Sequence, residues 1–222
     1  MQICPSILES KVSDYFKTLE KLSAFFNWFQ LDFADGQYVK NKTASVDDFL
    51  ANIKNNQSIV ANNFYDFHLM IKDYQPIIEK LKNLSQEKKI KIKNIFIHYD
   101  LRPDPLLFNK NFPFTIGLAI NPQDEIDNLA KDYNLKSIKS IQIMSVYPGA
   151  QGSPFVPQTI KKIEQLRNLN YRSLIFLDGA VNDQTISFIK SQKFLPDVIC
   201  PGSYFTKAQN NEIKERIKNL LK

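Results

Sequence analysis

The sequence has few cysteines and no long apolar segment. Its only two cysteines are Cys4 and Cys200, too few for a disulfide framework, and both lie in apolar runs where we expect buried, reduced thiols. No apolar run reaches the roughly 18 residues that a membrane-spanning helix needs. Residues 1–5 have neither the charged n-region nor the apolar h-region of a secretory signal. These absences predict a cytoplasmic protein that does not bind membranes.

Sequence motifs of two other protein classes are also missing. No G-x-G-x-x-G follows the first predicted strand, which argues against a dinucleotide-binding fold. No H-E-x-x-H or other compact metal motif is present, so a metal hydrolase is disfavoured. The chain has no linker, low-complexity tract or change in composition. We therefore expect one domain over residues 1–222.

Positive charge is in excess, but its distribution does not indicate a nucleic-acid surface. The 29 lysines and arginines against 23 acidic residues give a net charge of +6, which favours anionic ligands. The lysines are scattered over the polar faces of predicted helices, and the densest cluster, residues 88–93, leads into a predicted strand. No basic stripe alternates with aromatic residues, so we expect no nucleic-acid partner.

Short apolar or β-branched runs alternate with amphipathic stretches along the whole chain. The predicted strands are residues 2–8, 28–33, 64–70, 94–98, 114–120, 140–146, 173–178 and 197–201. Predicted helices include residues 11–24, 76–84, 157–169 and 211–221. Such alternation produces a parallel sheet. About eight units in a chain of this length favour a closed (β/α)8 barrel over an open doubly wound sheet.

Polar residues collect at the carboxyl ends of the predicted strands, where barrels of this kind place their active sites. In chain order they are Ser6, Asp32, Asp35, His68, His98, Asp100, Asn121, Ser145, Asp178, Gly202 and Ser203. Both histidines of the chain belong to this set. Carboxylates and histidines that share one rim predict a functional site there.

Some members of this set have a simpler structural interpretation. Asp35 precedes a glycine, a pair typical of turns, and we favour a turn there. His98 is equally consistent with a hydrogen-bonded core histidine. Asp32 and Asp178 follow apolar runs and are predicted to be half-buried, so each carboxylate needs a partner or a metal.

The last two strand ends predict a site for an anion. Gly179, Gly202 and Ser203 would leave backbone N–H groups free, and the seventh and eighth loops of such barrels commonly bind phosphate. The loop at residues 145–157 is longer than a tight turn and is rich in glycine and proline. We expect it to close over a ligand.

The sequence resembles the ribulose-phosphate 3-epimerase family over nearly its whole length. The matching segments are I-C-P-S-I-L at residues 3–8, L-D-F-A-D-G-Q-Y-V at 31–39, D-F-H-L-M at 66–70, F-I-H at 96–98, G-L-A-I-N-P at 117–122, M-S-V-Y-P-G at 144–149, L-D-G at 177–179 and G-S at 202–203. So many segments in the family's order indicate common ancestry, although ancestry does not prove activity.

The resemblance implies a reaction and the residues that perform it. Family members interconvert D-ribulose 5-phosphate and D-xylulose 5-phosphate or a close analogue. Two aspartates, here Asp32 and Asp178, flank C3; one removes its proton and the other returns a proton to the opposite face. A divalent metal (zinc, iron(II), manganese or magnesium) polarises the C2 carbonyl and stabilises the enediolate. The implied metal ligands are Asp32, His68 and Asp178, with Gln30 at the fourth ligand position.

The resemblance also implies which residues contact the sugar phosphate. The implied substrate and phosphate contacts are Ser6, His68, Met70, Met144, Gly149, Gly152, Gly179, Gly202 and Ser203. Met70 and Met144 would line the enediolate pocket, although both are most simply explained as core residues. The family is commonly oligomeric, and a homo-oligomer is left open by the sequence.

Several site positions depart from the family pattern. Gln30 stands where the family has its first metal-binding histidine, and an amide oxygen is a poorer zinc ligand than imidazole. Ala34 replaces a methionine, Ala180 replaces the second glycine of D-G-G, Lys40 replaces a proline, and the loop at residues 148–153 is altered. We therefore expect a divergent member whose metal is weakly bound, harder or absent. The alternative to an active epimerase is a catalytically silent barrel that still binds a sugar phosphate.

Overall fold

Parallel strands form the wall of a (β/α)8 barrel in the computed structural model, which describes residues 1–149 and 152–222. The strands are β1 (Gln2–Ile3), β2 (Ser6–Ile7), β3 (Trp28–Ala34), β4 (Phe64–Met70), β5 (Lys91–His98), β6 (Thr115–Ile120), β7 (Ser140–Met144), β8 (Leu174–Asp178) and β9 (Val198–Cys200). Their spatial order is β1-β9-β8-β7-β6-β5-β4-β3-β2, and every neighbouring pair is parallel. The predicted fold class is confirmed.

One segment of the chain closes the barrel. β1 pairs with β9 and β2 pairs with β3, so the two short strands share the first strand position. Pro5 interrupts them because it has no N–H to donate. Backbone hydrogen bonds nevertheless continue on both sides, from Cys4 N–H to the Ile199 carbonyl at 3.0 Å and from Gln30 N–H to the Pro5 carbonyl at 2.9 Å. The single strand predicted for residues 2–8 is therefore split.

Helices cover the outside of the barrel. They are α1 (Val12–Leu22), α2 (Val46–Asn52), α3 (Gln57–Ala61), α4 (Gln75–Gln86), α5 (Ile126–Asp132), α6 (Lys161–Asn168), α7 (Ile186–Lys190), α8 (Ser203–Thr206) and α9 (Asn210–Leu221). The predicted helix at residues 157–169 begins as a 3-10 turn, Pro157–Ile160, and only then becomes α6. Within the described residues, no helix is both long enough and apolar enough to cross a bilayer.

Two apolar clusters fill the molecule. The larger lies between sheet and helices, and α1 contributes Tyr15, Phe16, Leu19 and Leu22 from one helical face. The smaller consists of Cys4, Trp28, Phe96, Ala119, Phe176, Val198 and Cys200. On the strands these residues alternate with those of the larger cluster, so they occupy the barrel interior. Both cysteines are free and buried there, as the sequence predicts.

A buried lysine fixes the connection between β6 and α5. Lys162 Nζ donates to the carbonyl oxygens of Asn121 at 2.8 Å, Pro122 at 3.0 Å and Asp124 at 2.5 Å. We expect Lys162→Met to lower the free energy of unfolding by about 3 kcal/mol, because it leaves these oxygens without their charged donor. Urea unfolding measures the effect. Lys161→Met, at the exposed neighbouring position, is the control; equal stability of the two variants would contradict the account.

Candidate active site

Three interior positions of the barrel carry the titratable groups predicted for the site. Asp32 on β3 and His68 on β4 are register partners, and Asp178 is the last residue of β8. Gln30 precedes Asp32 by two residues and therefore faces the same interior. All four side chains are buried. The sheet thus brings together residues that are far apart in the sequence.

The inward atoms of these side chains form a compact cluster. His68 Nδ1 lies 3.1 Å from Asp32 Oδ1 and 3.6 Å from Asp178 Oδ2. Gln30 Nε2 donates to the same two oxygens, at 2.9 Å and 2.7 Å respectively. The two carboxylates therefore approach one another around a shared imidazole and a shared amide. Neither carboxylate points into the helix layer.

Each carboxylate has one oxygen engaged in this cluster and one oxygen left over. Within the described residues, Asp32 Oδ2 and Asp178 Oδ1 accept no side-chain hydrogen bond. Both aspartates line the same cavity, which has a volume of about 310 Å³. Each carboxylate therefore has one oxygen that accepts no hydrogen bond from a side chain. These two oxygens are available for proton transfer beside a cavity that can hold a small molecule.

Burial shifts the protonation equilibria of the cluster. Burial, and then the charge of Asp32, raises the pKa of Asp178 to about 7. Burial alone would lower the pKa of His68, but the hydrogen bond and charge of Asp32 and the charge of Asp178 outweigh it, so the pKa is raised. A carboxyl group with such a pKa exchanges its proton near neutral pH. Asp178 therefore has the property expected of an acid/base group.

The second histidine of the chain, His98, is hydrogen-bonded to His68. His98 Nε2 lies 2.8 Å from His68 Nε2, and both rings are buried. Burial, and then the charge of His68, holds the pKa of His98 well below its ordinary value. A neutral His98 accepts or donates one hydrogen bond on this nitrogen, depending on the tautomer of His68. Of the two interpretations of His98, the structure gives a buried, hydrogen-bonded histidine that orients a site residue.

Tyr38 covers this histidine pair. Its ring centroid lies 4.6 Å from that of His98. Its hydroxyl donates to Asp100 Oδ1 at 2.8 Å and accepts from Asn121 Nδ2 at 2.8 Å. Asp100 and Asn121, two of the strand-end residues, therefore anchor the loop after β3 through Tyr38. The sequence did not single out Tyr38, because its role depends on the fold of the loop.

Asp35 and Ser145, two further strand-end residues, form hydrogen bonds with backbone groups. The Asp35 carboxylate accepts the N–H groups of Gln37, Tyr38 and Lys72, an arrangement typical of a turn. Ser145 Oγ donates to the carbonyl oxygen of Asp178 at 3.0 Å. Asp35 therefore makes the turn contacts that its sequence context favours, and Ser145 ties the end of β7 to that of β8.

The predicted substrate contacts converge on the cavity. With the exception of Gln30, which lies behind the carboxylates, every predicted site residue lines it: Ser6, Asp32, His68, Met70, Met144, Gly149, Gly152, Asp178, Gly179, Gly202 and Ser203. Asn182, Gln184 and Thr185, from the loop after β8, also line it and were not predicted. Residues 150 and 151 of the predicted closing loop lie outside the described residues.

Gly179 is required by the close packing of two loops. Its φ is +108°, and a Cβ there would lie 2.5 Å from Val146 Cγ2. Gly152 has a φ of +85°, but no atom of the described residues lies within 4 Å of such a Cβ. We expect Gly179→Ala to lower the free energy of unfolding by about 3 kcal/mol, from steric overlap added to backbone strain. Gly152→Ala should cost only about 1 kcal/mol, and thermal unfolding of both variants compares them. Equal losses would contradict the packing argument.

One departure from the family pattern changes the cavity wall. Ala180 lines the cavity and has a φ of +51°, in the left-handed region that favours glycine. Its methyl group therefore adds bulk where a glycine would leave the backbone open.

Gly202 approaches Ser6 closely, since a Cβ there would lie 2.9 Å from Ser6 Oγ. Ser203 opens α8, so its N–H has no partner within that helix.

The donor set fits a divalent cation. Ligand atoms of Asp32, His68 and Asp178 all lie within 4.8 Å of one another. Ligands about 2.1 Å from a common cation are about 3.0–3.4 Å apart, close to the separations of 3.1 Å and 3.6 Å from His68 Nδ1. Gln30 Oε1 is buried and has no hydrogen-bond partner among the residues that the structure describes, and rotation of the amide would turn this oxygen toward the two carboxylates. Three oxygens and one imidazole suit a harder cation better than a histidine-richer set does.

Gln142 is a further polar residue of the site that the sequence did not reveal. It lies on β7, is fully buried, and donates from Nε2 to Asp178 Oδ2 at 2.9 Å. Its sequence signal is a polar residue at an inward position of β7, two residues before Met144. The sequence does not distinguish inward from outward positions on this strand, so Gln142 was not singled out.

The chain shares its fold with solved structures of very different sequence. The tryptophan synthase α-subunit of Pyrococcus furiosus superposes with a TM-score of 0.63 at 12% identity, covering 99% of this chain and 97% of that one. A structure described as native KDPGal superposes with a TM-score of 0.57 at 10% identity, covering 100% of this chain and 93% of that one. At such identities the similarity establishes the barrel fold alone.

Sequence relatives are more specific. The ribulose-phosphate 3-epimerase of Helicobacter pylori (strain 26695) is 28% identical and covers 96% of this chain and 94% of that protein. That of Buchnera aphidicola is 29% identical over 94% of this chain and 89% of that protein. The sequence profile described as the ribulose-phosphate 3 epimerase family matches residues 2–205. Because this match spans most of the chain, the protein belongs to the ribulose-phosphate 3-epimerase family.

Proposed function

We propose that the protein is a ketose-phosphate 3-epimerase that interconverts D-ribulose 5-phosphate and D-xylulose 5-phosphate or a close analogue. The observation that carries the proposal is the pair Asp32 and Asp178, each buried, each with one oxygen free of side-chain hydrogen bonds, on one cavity. Inversion at a carbon needs a base on one face and an acid on the other. Family membership and the names of the relatives support the same reaction.

The two aspartates divide the proton transfer. In one direction Asp32 takes the C3 proton while protonated Asp178 gives a proton to the opposite face; in the reverse direction the roles exchange. The raised pKa of Asp178, about 7, keeps both of its protonation states accessible near neutral pH. His68 fixes the position of the two carboxylates relative to one another, since Nδ1 lies within 3.6 Å of an oxygen of each aspartate.

A divalent cation held by Asp32, His68, Asp178 and the Gln30 amide oxygen would stabilise the negative charge that develops on the C2 oxygen. Residues of the protein itself exclude water and bind the phosphate. Met70 and Met144 line the cavity beside the carboxylates and exclude water from C3. The phosphate would bind the far end of the cavity, at Gly179, Gly202 and Ser203, where backbone N–H groups are the donors.

A catalytically silent, sugar-phosphate-binding barrel is the alternative. The observation that favours it is the Gln30 amide, whose nitrogen donates to both aspartates at 2.9 Å and 2.7 Å and lies between them. Ala180 adds a methyl group to the cavity wall. Both proposals predict that the protein binds a sugar phosphate, but only the epimerase proposal predicts turnover.

Turnover of D-ribulose 5-phosphate distinguishes them. The purified protein, supplied in turn with manganese, iron(II), magnesium and zinc, is incubated with the substrate, and D-xylulose 5-phosphate is followed by carbon-13 NMR. An epimerase produces it with at least one of these metals. Binding of the sugar phosphate without product under any of these conditions would overturn the proposal for this substrate and favour the silent barrel.

A further inference from the structure

A buried glutamine on β7 contacts one of the two proposed acid/base residues. Gln142 Nε2 donates to Asp178 Oδ2 at 2.9 Å and lies 3.4 Å from the sulfur of Met144. The side chain has no solvent exposure. The residue lies outside every segment that matches the family motifs, since the nearest of these begins at Met144.

Packing does not explain an amide at this position. Gln142 faces the barrel interior, and its register partner on β8 is Phe176, a member of the apolar interior cluster. Burying an amide costs about 1–3 kcal/mol unless its polar atoms are bonded, and Gln142 Oε1 has no partner within the described residues. An apolar side chain of the same length would fill the space without this cost. What the amide adds is its hydrogen bond to Asp178.

That hydrogen bond determines how the Asp178 carboxylate is turned. Oδ2 accepts from Gln142 on β7 and from Gln30 on β3, at 2.9 Å and 2.7 Å. A carboxylate rotates about a single bond unless its oxygens are held. Two donors from different strands hold Oδ2 inside the barrel. Oδ1 is then the oxygen presented to the cavity.

We propose that Gln142 is a positioning residue that directs Asp178 Oδ1 toward the substrate carbon. The proposal rests on the epimerase function proposed above. Gln142 does not touch the cavity; it acts through Asp178. Its loss should therefore slow the proton transfer while leaving the substrate contacts in place, so that kcat changes and KM does not.

The variant Gln142→Met tests this role, because methionine has a similar length and cannot donate. We expect kcat for D-ribulose 5-phosphate to fall about tenfold to a hundredfold, the range found for residues that orient a metal ligand, with KM little changed. Phe176→Leu is the matched control, since it alters the same interior layer and makes no hydrogen bond to Asp178. A kcat loss no larger than that of Phe176→Leu, or a loss confined to KM, would overturn the proposal.

Cobalt(II) binding gives a readout that does not depend on turnover. We expect Gln142→Met to bind cobalt about tenfold more weakly than the wild type, because Asp178 Oδ2 is one of the proposed ligand atoms, while Phe176→Leu keeps the wild-type affinity. A wild-type protein that binds cobalt but does not epimerise would end the proposed function, and the cobalt titration would still decide the role of Gln142. Equal affinities of wild type and Gln142→Met would overturn that role.

Discussion

Replacing Asp32 or Asp178 by asparagine will lower kcat for D-ribulose 5-phosphate by a factor of about 10³, within the range that a lost acid/base group costs. Asparagine keeps the size of the side chain but cannot transfer the proton. Steady-state kinetics of the two single variants measure the effect. Because each direction of the reaction needs both groups, the two losses should be similar in size.

Asp66→Asn is the matched control for these variants. Asp66 lies on β4, is fully buried, and has a pKa raised by burial to about 7, as Asp178 has. Its carboxylate accepts the backbone N–H of Asn94 at 2.9 Å, and Asp66 is not among the residues that line the cavity. We expect kcat near the wild-type value. An equal kcat loss in all three variants would mean that the effect comes from disturbing the barrel interior.

Replacing Gln30 by histidine will tighten zinc binding about tenfold or more. Imidazole is a better zinc ligand than a neutral amide oxygen, and Gln30 already reaches the oxygens of both Asp32 and Asp178. Competition with a chromophoric chelator measures the affinity. The same substitution removes the amide nitrogen that now donates to both carboxylates, so the cation no longer competes with it.

Gln37→His is the control for the metal experiment. Gln37 is exposed, in the loop that follows β3, so a histidine there tests whether an added imidazole binds zinc by itself. Its affinity should match that of the wild type. If Gln30→His also leaves zinc affinity unchanged, Gln30 is not the residue that limits metal binding.

The fold and the strand-end residues of the cavity could be predicted because they follow from periodicity and position. Met70, Met144, Gly149 and Gly152 were predicted only through the resemblance to the family. The alternation of strands and helices predicts the barrel, and parallel strands bring their carboxyl ends to one rim. Asp32, His68 and Asp178 meet there as a consequence. The predicted family, and with it the assignment of the chain to a family of isomerases, is confirmed.

The hydrogen bonds that orient these residues could not be predicted, because they depend on side-chain torsions. Nothing in the sequence shows that His98 bonds to His68 or that Gln30 bridges the two aspartates. Gln142 was missed because inward and outward positions of its strand become distinct only when the register is known. Pro5 divides the first strand into β1 and β2. Only the closed barrel shows that these two short strands share one strand position.

Proton exchange at C3 in D2O shows whether Asp32 and Asp178 are the two bases of an epimerase. With wild-type protein, a divalent metal and D-ribulose 5-phosphate, proton NMR follows C3 in both epimers. We expect deuterium to enter D-xylulose 5-phosphate ahead of the remaining substrate. We expect Asp32→Asn and Asp178→Asn to abolish the entry of deuterium into D-xylulose 5-phosphate. Deuterium that still enters D-xylulose 5-phosphate in either variant, or equal early labelling of both epimers by the wild type, would contradict it.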